Sequence, residues 1–112
     1  MQLPGADRAV IEPRKLRDYL LSPSHPVGRY KATFFIGLGY DQNDWAQLAS
    51  DLRELIASGD AIDAGANRYG RKHEVRGAIV GPSGRQASIV SVWITLESED
   101  VPRFVTAYPE MA

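Results

Sequence analysis

The sequence predicts an α+β fold. About three N-terminal helices pack on one face of a C-terminal antiparallel sheet of three to four strands. Three observations lead there. Apolar residues recur at helical spacing through the first half, the period changes to two in the second half, and turn clusters separate the periodic segments. Helices and strands segregated in this way read as a two-layer domain. With 112 residues the chain has one domain's worth of sequence, residues 1–112, and enough to bury a core without staples.

The elements follow in order. Ala9-Val10-Ile11 is a short extended piece, and Pro13 suits a first helical turn because its missing N–H would be unpaired there anyway. Leu16, Tyr19 and Leu20 form the stripe of this first helix, and Pro23 ends it. A second helix is expected from about Val27 or Gly28 to Leu38, with Tyr30, Phe34 and Leu38 on one face. The third, "DQNDWAQLASDLRELIASGD", opens at Asn43 or Asp44 as cap and carries Trp45, Leu48, Leu52 and Leu55 inward. A weaker strand is expected at Ala61–Asn67, and "KHEVRGAIVG" is strand-like. The strongest strand signal is "RQASIVSVWITLE", in which Val90, Val92, Ile94 and Leu96 alternate with Ile89, Ser91, Trp93 and Thr95. "RFVTAY" is the last strand. The apolar Val90/Val92/Ile94/Leu96 face is expected under the helices, with Leu16, Leu20, Phe34, Leu48 and Leu52. That would leave Trp93, Lys72 and Arg76 on an open polar face fit to hold a ligand.

Thirteen Lys and Arg against fourteen Asp and Glu argue against a strong, non-specific nucleic-acid binder. The charge is uneven, however. "RYGRKHEVR" groups Arg68, Arg71, Lys72 and Arg76 around a single Glu74, and a local patch of this kind binds phosphate even on a near-neutral protein. There is no cysteine, which excludes disulfides and thiolate metal sites, and the expected setting is the cytoplasm. No apolar run reads as a leader or membrane span, so no membrane partner is expected. Two histidines are too few to call a metal site, no Gly-rich phosphate loop or HExxH is present, and no cofactor is expected.

The segments "LPGADRAVIEPRKLRDYLLSPSHPVGRYKATFFIGLGY", "YGRKHEVRGAIVGPSGR", "VSVWI" and "PRFVTAYP" resemble a small bacterial domain family of unknown function, over Leu3 to Pro109. Such domains occur alone and at the C-terminal end of polymorphic toxins. The arrangement of helices before an antiparallel sheet is similar to the barnase, EndoU, colicin and RelE group of metal-independent ribonucleases. His73 departs from the family pattern, which has an aromatic there. The resemblance implies a ribonuclease-like toxin domain of a toxin–antitoxin or polymorphic toxin system, with RNA as substrate and a small antitoxin or immunity protein as partner. The alternative is a non-catalytic module that binds protein or nucleic acid.

Metal-free RNA cleavage needs a base for the 2′-OH, an acid for the leaving oxygen, and cations for the charged phosphorane. His25, in the stiff turn "SPSHPVG", is the candidate base. Lys31, Lys72 and Thr106 complete the candidate catalytic set. Tyr69, Arg71, Arg76, Trp93, Arg103 and Tyr108 are candidates for binding substrate, Tyr69 and Trp93 by stacking a base. Each residue also has a structural reading: a turn hydrogen bond for His25, a solvated cation for Lys31, packing for Trp93. A catalytic site requires His25 and at least two cations in one cleft, whereas scattered positions favour a binding module.

Overall fold

A computed structural model describes residues 1–110. A 3-10 turn at Ala6–Arg8 precedes helix α1, which begins at Pro13–Lys15 and continues as a π-helical turn over Leu16–Leu20. Helix α2 spans Arg29–Gly37, and α3 spans Trp45–Ser58 after a 3-10 turn at Gln42–Asp44. Four strands follow: β1 Asp60–Ala66, β2 Gly70–Val80, β3 Gln86–Leu96 and β4 Pro102–Pro109. They form one sheet in the order β1-β2-β3-β4, antiparallel throughout. The α+β class, with the helices first and the sheet after them, is therefore as the sequence predicts.

The sheet presents the opposite face to the helices from the one expected. Ile89, Ser91 and Trp93 of β3 point into the core, with Val75 and Ile79 of β2 and Phe104 and Ala107 of β4. They meet Leu16, Leu20, Phe35, Leu48, Leu52 and Ile56. Val92 and Ile94 lie on the outer face and are only half-buried, while Val90 is covered there. The reason is local satisfaction. Ser91 would be costly inside without a partner, but its Oγ donates to the Val75 carbonyl at 2.9 Å and accepts from Trp93 Nε1 at 2.9 Å. Both polar atoms are thus paired, and the indole fills the core with its ring edge against Phe104, centroids 5.3 Å apart. Helix α2 is rotated too: Ala32 and Phe35 are buried, Phe34 is half-buried, and Tyr30 is 72% exposed. His73 points inward beside Trp93 and is buried, so the departure from an aromatic is a change within the core layer.

Two features bring α1 alongside the β4 edge. Val10 extends the sheet by a parallel bridge to Arg103, its N–H donating to Pro102 and its carbonyl accepting from Phe104, both at 2.9 Å. Arg53 of α3 donates to the Ala9 carbonyl at 2.8 Å and ties the same segment to the helical layer. The chain then enters α1 directly beside β4.

Candidate active site at the sheet edge

The half-buried Tyr19 stands at the end of α1, and a phenol in that position needs a hydrogen-bond partner. It has two. Lys31, in the first turn of α2, donates from Nζ to Tyr19 Oη at 2.8 Å. Thr106 Oγ1 lies 3.1 Å from Tyr19 Oη and 3.1 Å from Lys31 Nζ, closing a triangle. A β-bulge helps to place Thr106. Val92 faces Thr106 and Trp93 faces Phe104, so Val105 is an extra residue that bends β4 at this point.

The turn between α1 and α2 supplies His25. Its Nδ1 accepts from the backbone N–H of Val27 at 3.0 Å and of Gly28 at 2.9 Å. Its ring meets Tyr19 edge-on, centroids 5.1 Å apart. Gly28 is required for close approach, because a Cβ there would lie 2.3 Å from the Tyr19 carbonyl oxygen. A neutral imidazole that accepts at Nδ1 carries its proton on Nε2. A base role for His25 needs a free lone pair, and here the Nδ1 lone pair is engaged by two N–H donors.

Around these groups opens a cleft of about 560 Å³, lined by Arg14, Lys15, Asp18 and Tyr19 from α1, by His25, and by Val105 and Thr106 from β4. Burial by itself pushes the Tyr19 phenol up. The hydrogen bonds from Lys31 and Thr106, with the charges of Lys31 and Lys15, outweigh it and hold the phenol below its ordinary value. Asp18 is bonded by the Arg17 guanidinium at 2.8 and 3.0 Å, which lowers its carboxyl. The cleft thus joins an acidified phenol to cations from α1 and α2.

Of the residues singled out in the sequence, His25, Lys31 and Thr106 converge here. The others do not line the cleft. Lys72, Arg76, Arg103 and Tyr108 lie in the outer-face rows Lys72–Ile94–Arg103 and Arg76–Val90–Tyr108, on either side of the Glu74–Val92–Thr106 row. Arg76 is paired with Glu74 and Glu110, and Arg103 with Glu99 at 2.7 and 2.8 Å, so neither is a bare phosphate ligand. Tyr69 is exposed beside Arg68, whose guanidinium stacks 4.9 Å from the ring, and Arg71 is paired with Asp63 at the β1–β2 end of the sheet. Trp93 is fully buried. That overturns the open stacking face expected of it, because its neighbours in the row point into the helical layer.

The sequence does not single out Tyr19, Arg14, Lys15 or Asp18. The available signal was a tyrosine between Leu16 and Leu20 in an otherwise aliphatic stripe: its hydroxyl has to reach a partner at the layer's margin.

Residues 2–111 match the family described as Domain of unknown function (DUF6883). The chain belongs to that family. No curated protein matches it. Among solved structures it is similar to a contact-dependent growth inhibition toxin–immunity protein complex from Klebsiella pneumoniae 342, at 21% identity and a TM-score of 0.69. The likeness covers 90% of this chain and 99% of the other. At that identity the likeness shows the fold, and in this family member the fold sets the cleft between α1, the His25 turn and the β4 edge.

Proposed function

We propose that this domain is a metal-independent ribonuclease-like toxin domain whose active site is the Tyr19–Lys31–Thr106 triangle and the cleft beside it. The observation that carries the reading is this convergence. His25 lines a cleft with Arg14 and Lys15, and Lys31 stands against Tyr19 at its wall. The toxin role and a small immunity partner draw support from the fold shared with a toxin–immunity protein complex. The setting of action is the cytoplasm, where RNA is the substrate. Among the described residues no helix is long and apolar enough to cross a membrane, and no group of three or more His, Asp or Glu could hold a metal ion.

The chemistry follows from the groups present. Tyr19, whose phenol is held below its ordinary value against burial by Lys31 and Thr106, serves as the base in its deprotonated form and takes the proton from a ribose 2′-OH. The 2′-oxygen bonds to phosphorus, and the bond from phosphorus to the 5′-oxygen breaks. The leaving oxygen takes a proton from the Lys15 ammonium, and a 2′,3′-cyclic phosphate remains. Tyr19 then releases its proton to solvent and Lys15 regains one. Arg14, which lines the cleft, stabilises the charge that builds on the phosphorane, and Lys31 and Thr106 hold the phenol in place. Lys72 and Tyr108 on the outer face, with Tyr69 and Arg71 at its end, are positions along which a longer RNA would run.

Tightly controlled expression in bacteria tests the proposal, with wild type beside Tyr19→Phe and Lys31→Ala, scored for growth arrest and RNA integrity. Arrest with fragmented RNA in the wild type alone supports it. RNA that is bound by purified protein but left intact favours the binding-module reading instead.

A further inference from the structure

We infer that His25 is a positioning residue: its Nδ1 fixes the start of α2 and so holds Lys31 against Tyr19 and Thr106, without itself exchanging a proton with the substrate. The inference rests on the cleft being the catalytic site, although its spectroscopic test does not.

Three observations carry it. First, Nδ1 accepts the N–H groups two and three residues ahead, at 3.0 and 2.9 Å, at the point where α2 begins. Asn67 makes the same pattern in this chain, its Oδ1 accepting from the N–H of Tyr69 at 2.7 Å and of Gly70 at 3.2 Å. His25 therefore does what an Asn or Asp does at a helix start or turn. Second, beside these two bonds the turn is closed by the Arg29 N–H donating to the His25 carbonyl at 3.1 Å and by a 3.3 Å contact between the Ser22 and Ser24 hydroxyls. Among the described residues no other side chain holds the start of α2. The His25 N–H reaches the Ser22 carbonyl at only 3.4 Å, and α2 has no side-chain cap on its N-cap residue Gly28. Third, the turn is packed onto Tyr19 from two sides, by the His25 ring edge and by Gly28 against its carbonyl. The anchor of α2 and the group that Lys31 must meet are thus one local unit. Lys31 sits three residues past Gly28, where a small rotation of the first turn would carry Nζ away from Tyr19 Oη. Charged and titratable groups around the ring are Arg14, Lys15, Asp18 and Tyr19 across the cleft, with Lys31 behind Tyr19.

The test compares His25→Asn with His25→Ala. Asn keeps an acceptor for the two N–H groups and removes the imidazole, whereas Ala removes both. The readouts are RNA cleavage by purified protein and the titration of Tyr19, followed by NMR of tyrosine labelled at Cζ and assigned with Tyr19→Phe. The expected result is that His25→Asn keeps the wild-type Tyr19 titration and near-wild-type cleavage. His25→Ala raises the Tyr19 midpoint and lowers cleavage roughly 100-fold, as displaced catalytic groups do. Any other pattern overturns the inference. An unchanged Tyr19 midpoint in His25→Ala removes the positioning role, and loss of cleavage in His25→Asn with Tyr19 intact makes His25 a reacting group. A wild type that cleaves no RNA overturns the ribonuclease reading alone, since the Tyr19 titrations of the two variants still decide the positioning role.

Discussion

Lys31 Nζ donates to Tyr19 Oη at 2.8 Å and lies 5.4 Å from the centre of the same ring. One cation thus meets the hydroxyl of a residue on the preceding helix. The contact acidifies the phenol and locks the first two helices together. Removing the hydroxyl separates these effects. Tyr19→Phe is expected to lose about 1 kcal/mol of stability, the net worth of an ordinary hydrogen bond, yet to lose about 100-fold or more in RNA cleavage. Urea unfolding beside a cleavage assay checks both, and a Phe variant that cuts at the wild-type rate removes Tyr19 from the chemistry.

Gly28 lies where the chain crosses Tyr19. A methyl group there would stand 2.3 Å from the Tyr19 carbonyl oxygen and 2.9 Å from its ring. Gly28→Ala should therefore cost about 1–3 kcal/mol by overpacking and shift the Tyr19 and Lys31 resonances. Gly37→Ala, with open space around it, is the control, and it should leave both unchanged.

Trp93 carries the core and has no stacking role. Trp93→Ala should destabilise the fold by about 3–5 kcal/mol, read by chemical denaturation. Trp93→Phe keeps most of the ring and gives up the bond to Ser91. A folded Trp93→Phe protein should bind RNA as the wild type does, and selective loss of RNA binding would restore the stacking role.

Tyr40 donates its hydroxyl to Asp51, and burial, with this bond and the charge of Asp51, pushes its phenol well above the ordinary value of 10.0. The sign follows from linkage. The folded state keeps the Tyr40 proton after the unfolded chain has lost it, so the contribution is complete below pH 10.0 and declines as pH rises beyond it toward the raised folded value. Tyr40→Phe should flatten the fall of stability above that pH, followed as the urea midpoint at successive alkaline pH values.

The cations of the cleft should make RNA binding salt-dependent. With about two phosphate contacts, from Arg14 and Lys15, the slope of log affinity against log salt should be roughly −1.4 for single-stranded RNA. Lys15→Ala should reduce it by a little under one unit. Arg76→Ala should change it little, because Arg76 is already held by Glu74 and Glu110.

Periodicity and punctuation by themselves determined the element order. The third helix carries an unbroken Leu48/Leu52/Leu55 stripe, and the strands are bounded by turn residues, so local pattern decides both. Which side of the sheet meets the helices was decided only by the tertiary structure. Strand β3 is apolar on both faces, so alternation defines two faces without ranking them. The choice rested on Ser91, whose burial is tolerated because Val75 on the neighbouring strand and Trp93 two residues along share its hydroxyl. The candidate site divides in the same way. His25 between two prolines could be read as a fixed histidine at a helix start. Its meeting with Lys31 and Thr106 through Tyr19 could not be read, because Tyr19 and Thr106 are 87 residues apart in the chain and are joined only when the Val10 bridge lays α1 along the β4 edge. Local pattern specifies faces and ends, whereas only packing brings together side chains from distant elements.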